Sequence, residues 1–107
     1  MILRVWHGYT SPENATAYET LLTGEIMPAI TARKVPGFRG MSLARRTTGD
    51  EVEFVTLMRF DSIDAVKAFA GDDYETAVVP TKARQVLKRY DARSQHYAIV
   101  QETSPAS

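Results

Sequence analysis

The chain contains no cysteine and only two histidines among its 107 residues. Without cysteine it can form no disulfide, no thiolate nucleophile and no cysteine-ligated zinc or iron–sulfur site. The histidines, His7 and His96, lie far apart and lack the supporting carboxylate pattern of a facial triad. We therefore expect no metal centre.

An excess of either charge and a long apolar run are also missing. Thirteen Lys and Arg residues balance thirteen Asp and Glu residues, so no net field attracts nucleic acid or an anionic membrane, and neither is an expected partner. No run is as apolar as a signal peptide or as long as a transmembrane segment. We expect a cytoplasmic protein with one domain over residues 1–101 and a polar tail over residues 102–107.

The first strand-like run, residues 2–9, is largely apolar on both faces. Alternate side chains of a strand point to opposite faces. A sheet with one solvated face would show polar residues on that face. The two faces of this run carry Leu3, Val5, His7 and Tyr9 on one side and Ile2, Arg4, Trp6 and Gly8 on the other. Helices of this short chain can cover only one side, so we expect a homodimer in which two sheets pack face to face.

Turn and capping signals predict the remaining elements. Ser11-Pro12-Glu13 is typical of a helix start, and Pro28 predicts a kink between Gly24 and Pro28 in that helix. A turn at Pro36-Gly37 precedes a hairpin of strands 38–46 and 52–60. A helix capped by Asp61 or Ser62 ends at Gly71.

The last third of the chain is expected to hold a second long helix and a final strand. The helix is predicted from about Glu75 to Tyr90, with Pro80 near its start, and the strand from Arg93 to Gln101. The element order is then βαββαβ. This order predicts an α+β, ferredoxin-like fold with a four-stranded antiparallel sheet and helices on one face.

Three stretches carry a resemblance to a known family. Residues 60–71, Phe-Asp-Ser-Ile-Asp-Ala-Val-Lys-Ala-Phe-Ala-Gly, resemble the strand end, capped helix and glycine of antibiotic biosynthesis monooxygenase (ABM) domains. Ala77 to Pro80 and Tyr90 to Tyr97 are similar to later landmarks of that family. The resemblance covers residues 2–100 and implies a dimeric α+β barrel. It also implies an activity range from cofactor-independent oxygenases to haem degraders.

The chain departs from the haem-degrading branch of that family. Phe60 stands where members usually carry tryptophan, and no histidine occurs between Tyr74 and Tyr90, where the resemblance places the iron ligand. The asparagine of those enzymes falls at or next to His7. The resemblance thus favours a protein without a cofactor and disfavours haem degradation.

His7 is the candidate catalytic base. We expect it to face the helix layer, where a neutral imidazole could take a proton from a phenol or enol; a buried, hydrogen-bonded structural histidine is the alternative. His96 is expected to be structural and on the dimer side, and Trp6 to face the dimer interior. Tyr9, Tyr18, Thr56, Met58 and Phe60 are the candidate substrate-binding residues, although packing alone would also account for each of them.

Three functions remain open. The first is an ABM-like, cofactor-independent monooxygenase of a small phenolic, quinol or anthrone-type aromatic. Such a substrate reduces oxygen once it has lost a proton, so the protein supplies a base, a dry cavity and orientation. The second is a dimeric ligand-binding or scaffold protein without turnover, and the third, weaker one is a haem-binding or haem-degrading protein.

Overall fold

The computed structural model describes residues 1–105 and has an antiparallel sheet with helices on one face. The strands are β1 (Ile2–Thr10), β2 (Phe38–Thr48), β3 (Glu51–Phe60), β4 (Arg89–Tyr90) and β5 (Gln95–Ala98). The helices are α1 (Ala15–Leu21), α2 (Met27–Ala32), α3 (Ile63–Ala70) and α4 (Thr81–Val86). The predicted ferredoxin-like α+β class is confirmed.

The strand order is β2-β3-β1-β4, and β5 also pairs with β1. The expected strand from Arg93 to Gln101 is present as the shorter β5, and β4 is formed by residues that were expected to be helical; both pair along one edge of β1. Tyr90 pairs with Gly8 and Gln95 pairs with Val5, so residues 91–94 oppose only Trp6 and His7 and bulge outward. This bulge places the carboxylate of Asp91 against β1.

The first helical region bends where the sequence predicts it. A turn at Pro12–Asn14 leads into α1, and a π-helical turn over Leu22–Ile26 separates α1 from α2. Pro28 has no backbone N–H to donate to the preceding turn, and the wider π turn accommodates this loss. The hydroxyl of Ser11 makes no capping hydrogen bond, in contrast to our expectation.

The helix after β3 also agrees with its prediction. The Ser62 side chain accepts a hydrogen bond from the Ala65 backbone N–H and caps α3. Gly71 ends the helix with a φ of 87°, a conformation that suits glycine.

The predicted helix from Glu75 to Tyr90 is wrong, because only Thr81–Val86 is helical. Pro80 has an extended ψ of 148° and stands before the helix instead of inside it. The chain before it is tied to the returning strand region through the Ala77 N–H and the Ala92 carbonyl. The chain after it is drawn into the sheet, since the Lys88 N–H donates to the Tyr9 carbonyl.

The helices cover the face of β1 that carries Trp6. This face packs against a core that includes Tyr18 and Phe54, whose rings meet edge to face at 4.8 Å. His7 lies on the opposite, open face, so our expectation that His7 faces the helices and Trp6 faces away is wrong. The two faces of β1 alternate as expected, but they meet the opposite layers, because the Trp6 indole supplies helix-side core.

Two further sequence expectations concern membrane-spanning segments and the polar tail. Within residues 1–105, no helix is long and apolar enough to cross a membrane. Residues 102–105, the start of the predicted polar tail, are exposed and have no regular secondary structure. Ala106 and Ser107 lie outside the described residues.

Candidate binding cavity

A cavity of about 160 Å³ lies between the sheet and the helices. Its lining residues come from β1, β2 and β3, from all four helices and from the extended segment before α4. Its lining is mostly apolar: Arg4, Trp6, Tyr18, Leu22, Ile26, Ile30, Met41, Thr56, Met58, Phe69, Val78, Val79, Pro80, Ala83 and Ser94. This arrangement suits a small, largely apolar ligand.

Three of the predicted substrate-binding residues line this cavity: Tyr18, Thr56 and Met58. Two do not. Tyr9 lies on the open face of the sheet, where the Arg89 guanidinium stacks on its ring at 3.7 Å. Phe60 is 0% exposed and packs between Phe38 and Phe69, so it supports the cavity wall from behind.

Tyr18 is held on α1 with its side chain turned toward β3. It is 1% exposed, and burial raises the pKa of its phenol well above the ordinary range. The phenol is therefore neutral at physiological pH and unsuited to act as a base. A neutral hydroxyl can still orient a ligand.

Among residues 1–105, Arg4 is the one charged side chain that lines the cavity. It projects from β1 among apolar neighbours and is 4% exposed. Its Nη1 donates to the Tyr74 carbonyl oxygen at 2.6 Å and contacts His96 Nε2 at 2.9 Å, and its Cζ lies 5.7 Å from the Phe69 ring centroid. Alternation along β1 predicts Arg4 on the face of Trp6 but assigns it no role; the signal in the sequence is a lone cation on an otherwise apolar strand face.

His96 fixes Arg4 from the neighbouring strand. It pairs with Arg4 across β1 and β5 and stands edge-on to the Tyr74 ring at 5.1 Å. Because Arg4 can only donate, His96 accepts through Nε2 and carries its proton on Nδ1. Burial, and secondarily the Arg4 charge, lower the pKa of His96. The expectation that His96 lies on the dimer side is wrong, since it faces the helix layer.

The Trp6 indole forms a fixed part of the cavity wall. Its Nε1 donates to the Asp91 carbonyl oxygen at 2.8 Å, and its ring packs against Tyr90 with centroids 6.0 Å apart. Gly8 makes this position possible, because a Cβ there would lie 2.9 Å from two Trp6 ring atoms. Trp6 is also the only tryptophan of the chain.

On the open face, His7 forms a pair with Asp91. His7 Nδ1 lies 2.7 Å from Asp91 Oδ2, and the same oxygen accepts from the His7 backbone N–H at 3.0 Å and from Gln95 Nε2 at 3.2 Å. The pair joins β1 to the bulge between β4 and β5. His7 does not line the cavity, and its predicted role as a base stays a prediction.

The sequence comparisons and the structural comparisons give different results. No protein-family model matches the sequence, and no curated protein sequence matches it significantly. Solved structures do match: a protein from Bacillus cereus, provisionally named an antibiotic biosynthesis monooxygenase, superposes with a TM-score of 0.71 at 16% identity, covering 100% of this chain and 98% of that one. The chain has the ABM fold.

Two further structures that superpose on this chain carry different chemistry. SnoaB from Streptomyces nogalater, a cofactor-independent oxygenase solved as a point mutant, matches with a TM-score of 0.61 at 17% identity, covering 94% of this chain and 95% of its own. The heme-degrader MhuD from Mycobacterium tuberculosis, with two hemes bound in its active site, matches with a TM-score of 0.63 at 17% identity, covering 97% and 100%.

The cavity of this chain does not fit haem. Its volume of about 160 Å³ is below the roughly 300–1,000 Å³ of typical ligand pockets. No histidine lines it, and the Nε2 of His96 is already engaged by Arg4. Among residues 1–105 there is also no cluster of three or more His, Asp or Glu side chains arranged to hold a metal ion.

Proposed function

We propose that the protein is a cofactor-independent monooxygenase of a small phenolic or quinol aromatic, bound in the cavity between sheet and helices. The observation that carries this proposal is a mostly apolar cavity with one fixed cation, Arg4, at its wall. An apolar enclosure excludes water from a reactive anion, and a fixed cation stabilises the negative charge that forms when a phenol ionises. The likeness to oxygenases of the ABM fold supports the reaction type.

The cavity volume narrows the substrate. About 160 Å³ is close to the roughly 150 Å³ of an engineered apolar cavity that binds benzene. One aromatic ring fits this space, whereas a three-ring anthrone exceeds its volume. We therefore place single-ring phenols and quinols ahead of anthrones.

The reaction follows from the chemistry of the substrate. A phenol with a free para C–H, once ionised, transfers electrons to O₂. One oxygen atom forms a bond to the para carbon, the second leaves as water with two hydrogens, and the product is a quinone. In a quinol the oxygen atom bonds instead to a ring carbon that carries hydrogen, the second oxygen again leaves as water with two hydrogens, and the product is a hydroxyquinone. The substrate supplies all four electrons, so no external reductant is needed. Tyr18, Thr56 and Met58 are the proposed ligand contacts, and they orient the ring.

Of the steps in this reaction, proton removal is the one that the side chains of the cavity lining support least. Neither a carboxylate nor an imidazole lines the cavity in the part of the chain that the structure describes. The substrate therefore enters already ionised or releases its proton to water. His7, the proposed base from sequence, can be tested by substituting alanine: an unchanged pH profile of turnover would exclude it.

We also propose that the protein is a cytoplasmic homodimer that pairs through its open sheet face. This face carries apolar side chains that no helix covers, among them Leu3, Val5, Val55 and Leu57. Tyr97 on β5 is 54% exposed there. Burial of such a face against a second copy satisfies the requirement that an extended apolar surface leave water.

The absence of a base from the cavity lining favours a second candidate, a dimeric binding protein without turnover. Both candidates predict that the cavity holds a small aromatic. They differ in whether the ligand survives aerobic incubation unchanged.

Oxygen uptake by metal-stripped, haem-free protein tests the proposal. The panel pairs single-ring hydroquinones and phenols with naphthols and an anthrone, each with a protein-free control for autoxidation. Saturable uptake that is greatest for single rings is expected. If the ligands of the panel bind saturably but are all recovered unchanged, a binding protein without turnover becomes the better supported function.

A further inference from the structure

We propose that Arg4 is an anion-binding residue and that the cavity takes a single aromatic ring bearing an anionic oxygen, either a carboxylate or an ionised phenol. This inference deepens the proposed function, since it names the ligand's charge, but it concerns binding and does not require turnover. It rests on the geometry of Arg4, on its burial and on the cavity beside it.

Arg4 is a buried cation without a counter-ion. No carboxylate forms an ion pair with it among residues 1–105. The acid of nearby Glu75 is engaged by Arg93 at 2.7 Å. Burial is the sole cause that lowers the pKa of Arg4, with no acid to oppose it. A charge in this position is expensive unless a partner of opposite sign joins it.

The unused edge of the guanidinium matches a carboxylate. Both hydrogen-bond contacts of Arg4 use Nη1, which leaves Nε and Nη2 without a protein partner in the described part of the chain. These two nitrogens form the planar fork that binds two oxygens at once. Elsewhere in this protein, Arg39 uses the same Nε and Nη2 pair to hold Asp61, and Arg89 uses it to hold Glu51.

The unused edge has access to the cavity. Thr10 Oγ1 is the one fully buried side-chain polar atom without a partner among residues 1–105, so Nε and Nη2 of Arg4 are not sealed in the core. Arg4 is nonetheless 4% exposed overall and lines the cavity. Since Arg4 lines the cavity, we place these two nitrogens at its wall.

The guanidinium is held in place before any ligand arrives. The Tyr74 carbonyl and His96 Nε2 fix Nη1 on one side, and the Phe69 ring packs against the group at 5.7 Å. Such preorganisation reduces the ordering that binding would otherwise require. The remaining lining is mostly apolar and the cavity has the volume of a single ring, so a ring occupies the cavity while its anionic oxygen meets Arg4.

The test is a binding titration of benzoate against benzamide, two probes of nearly the same shape that differ in charge. Trp6, the sole tryptophan, lines the cavity and reports binding through its fluorescence. Wild-type protein should bind benzoate roughly tenfold to a hundredfold more tightly than benzamide, the range for hydrogen bonds to a charged group. In Arg4→Gln this preference should disappear, and Arg4→Lys should retain part of it.

A second probe separates the two kinds of anion. If the cavity also binds an ionised phenol, added protein should increase the phenolate absorbance of 4-nitrophenol at fixed pH, and Arg4→Gln should remove this increase. Binding of benzoate without an effect on 4-nitrophenol would restrict the ligand to carboxylates. Thermal melts of each variant, with Arg39→Gln as a surface arginine control, establish that the protein remains folded.

The proposal is overturned if wild-type protein binds benzoate and benzamide equally, or if folded Arg4→Gln keeps the preference for benzoate. Charge-selective binding without oxygen uptake from any phenol would leave this inference standing and refute the oxygenase. Oxygen uptake from phenols without charge-selective binding would refute this inference and leave the oxygenase standing.

Discussion

Phe60 should contribute strongly to stability as the central ring of the aromatic cluster behind the cavity. It is 0% exposed, and its centroid lies 5.4 Å from that of Phe38 and 5.6 Å from that of Phe69. Truncation of a fully buried phenylalanine to alanine typically lowers the free energy of unfolding by about 3–5 kcal/mol, because transfer energy is lost and a cavity remains. Phe60→Ala should therefore be among the most destabilising single changes in the chain.

Urea denaturation at a fixed protomer concentration measures this effect. With an m-value of about 2 kcal/mol per molar urea, a loss of about 4 kcal/mol lowers the midpoint by about 2 M. Phe60→Leu keeps a branched apolar side chain and should lower the free energy of unfolding by less. Val100→Ala is the control, since Val100 is 97% exposed, and it should change stability by less than about 0.5 kcal/mol.

The same variants distinguish the cavity wall from its support. Phe69 lines the cavity and Phe60 does not, so Phe69→Leu should weaken benzoate binding more than Phe60→Leu does. A loss of less than about 1 kcal/mol in Phe60→Ala would refute the burial argument. Weaker benzoate binding in Phe60→Leu than in Phe69→Leu would contradict the placement of the two rings.

Three further changes test separate parts of the structure. Gly8→Ala should lower the free energy of unfolding by about 1–3 kcal/mol and shift the emission of Trp6, because its Cβ would stand 2.9 Å from the indole; unaltered emission and stability would argue against that contact. Leu57→Lys on the open face should be a monomer in analytical ultracentrifugation at concentrations where wild type is a dimer. Thr20→Lys, on the exposed surface of a helix, is the control and should stay dimeric. A dimeric Leu57→Lys would exclude this face as the interface. Burial lowers the pKa of folded His96 below its unfolded value, so the folded state binds fewer protons and stability should fall as pH drops below about 6.5. His96→Asn should therefore reduce the difference in urea midpoint between about pH 7.5 and about pH 5.5. If the variant shows the same difference as wild type, His96 is not the source of the pH dependence.

Local signals were sufficient for the first two thirds of the fold. The β2–β3 hairpin follows from two strand-like runs joined by Thr47 to Asp50, and α3 follows from the Ser62 cap and Gly71. The bend near Pro28 has an equally local cause. Such features depend on neighbouring residues, which a sequence shows directly.

The region after Gly71 and the layer assignment of β1 depend on distant residues. The apolar spacing from Val79 to Tyr90 favours a helix, but backbone hydrogen bonds to Tyr9 and Ala92 draw the chain on either side of α4 into extended structure. Alternation along β1 defines two faces without saying which one meets the helices. The contact of Trp6 with the helix-side core decides which face of β1 meets the helices.

The site was predictable only in part for the same reason. Tyr18, Thr56 and Met58 could be placed at the cavity because each lies on the side of its own element that faces the other layer. His7 and Tyr9 were misplaced with their strand face. Arg4 became a candidate only when the structure showed a buried guanidinium with one free edge beside the cavity.

The central claim is that chemistry takes place in the helix-side cavity, and a cavity-filling variant tests it most directly. Ala83 is 2% exposed and lines the cavity, so Ala83→Leu fills part of its volume; Ala17→Leu places the same side chain on the exposed surface of α1. Oxygen uptake with a single-ring hydroquinone should be saturable in wild type and Ala17→Leu and should be lost in folded Ala83→Leu. Wild-type uptake by Ala83→Leu would contradict the account.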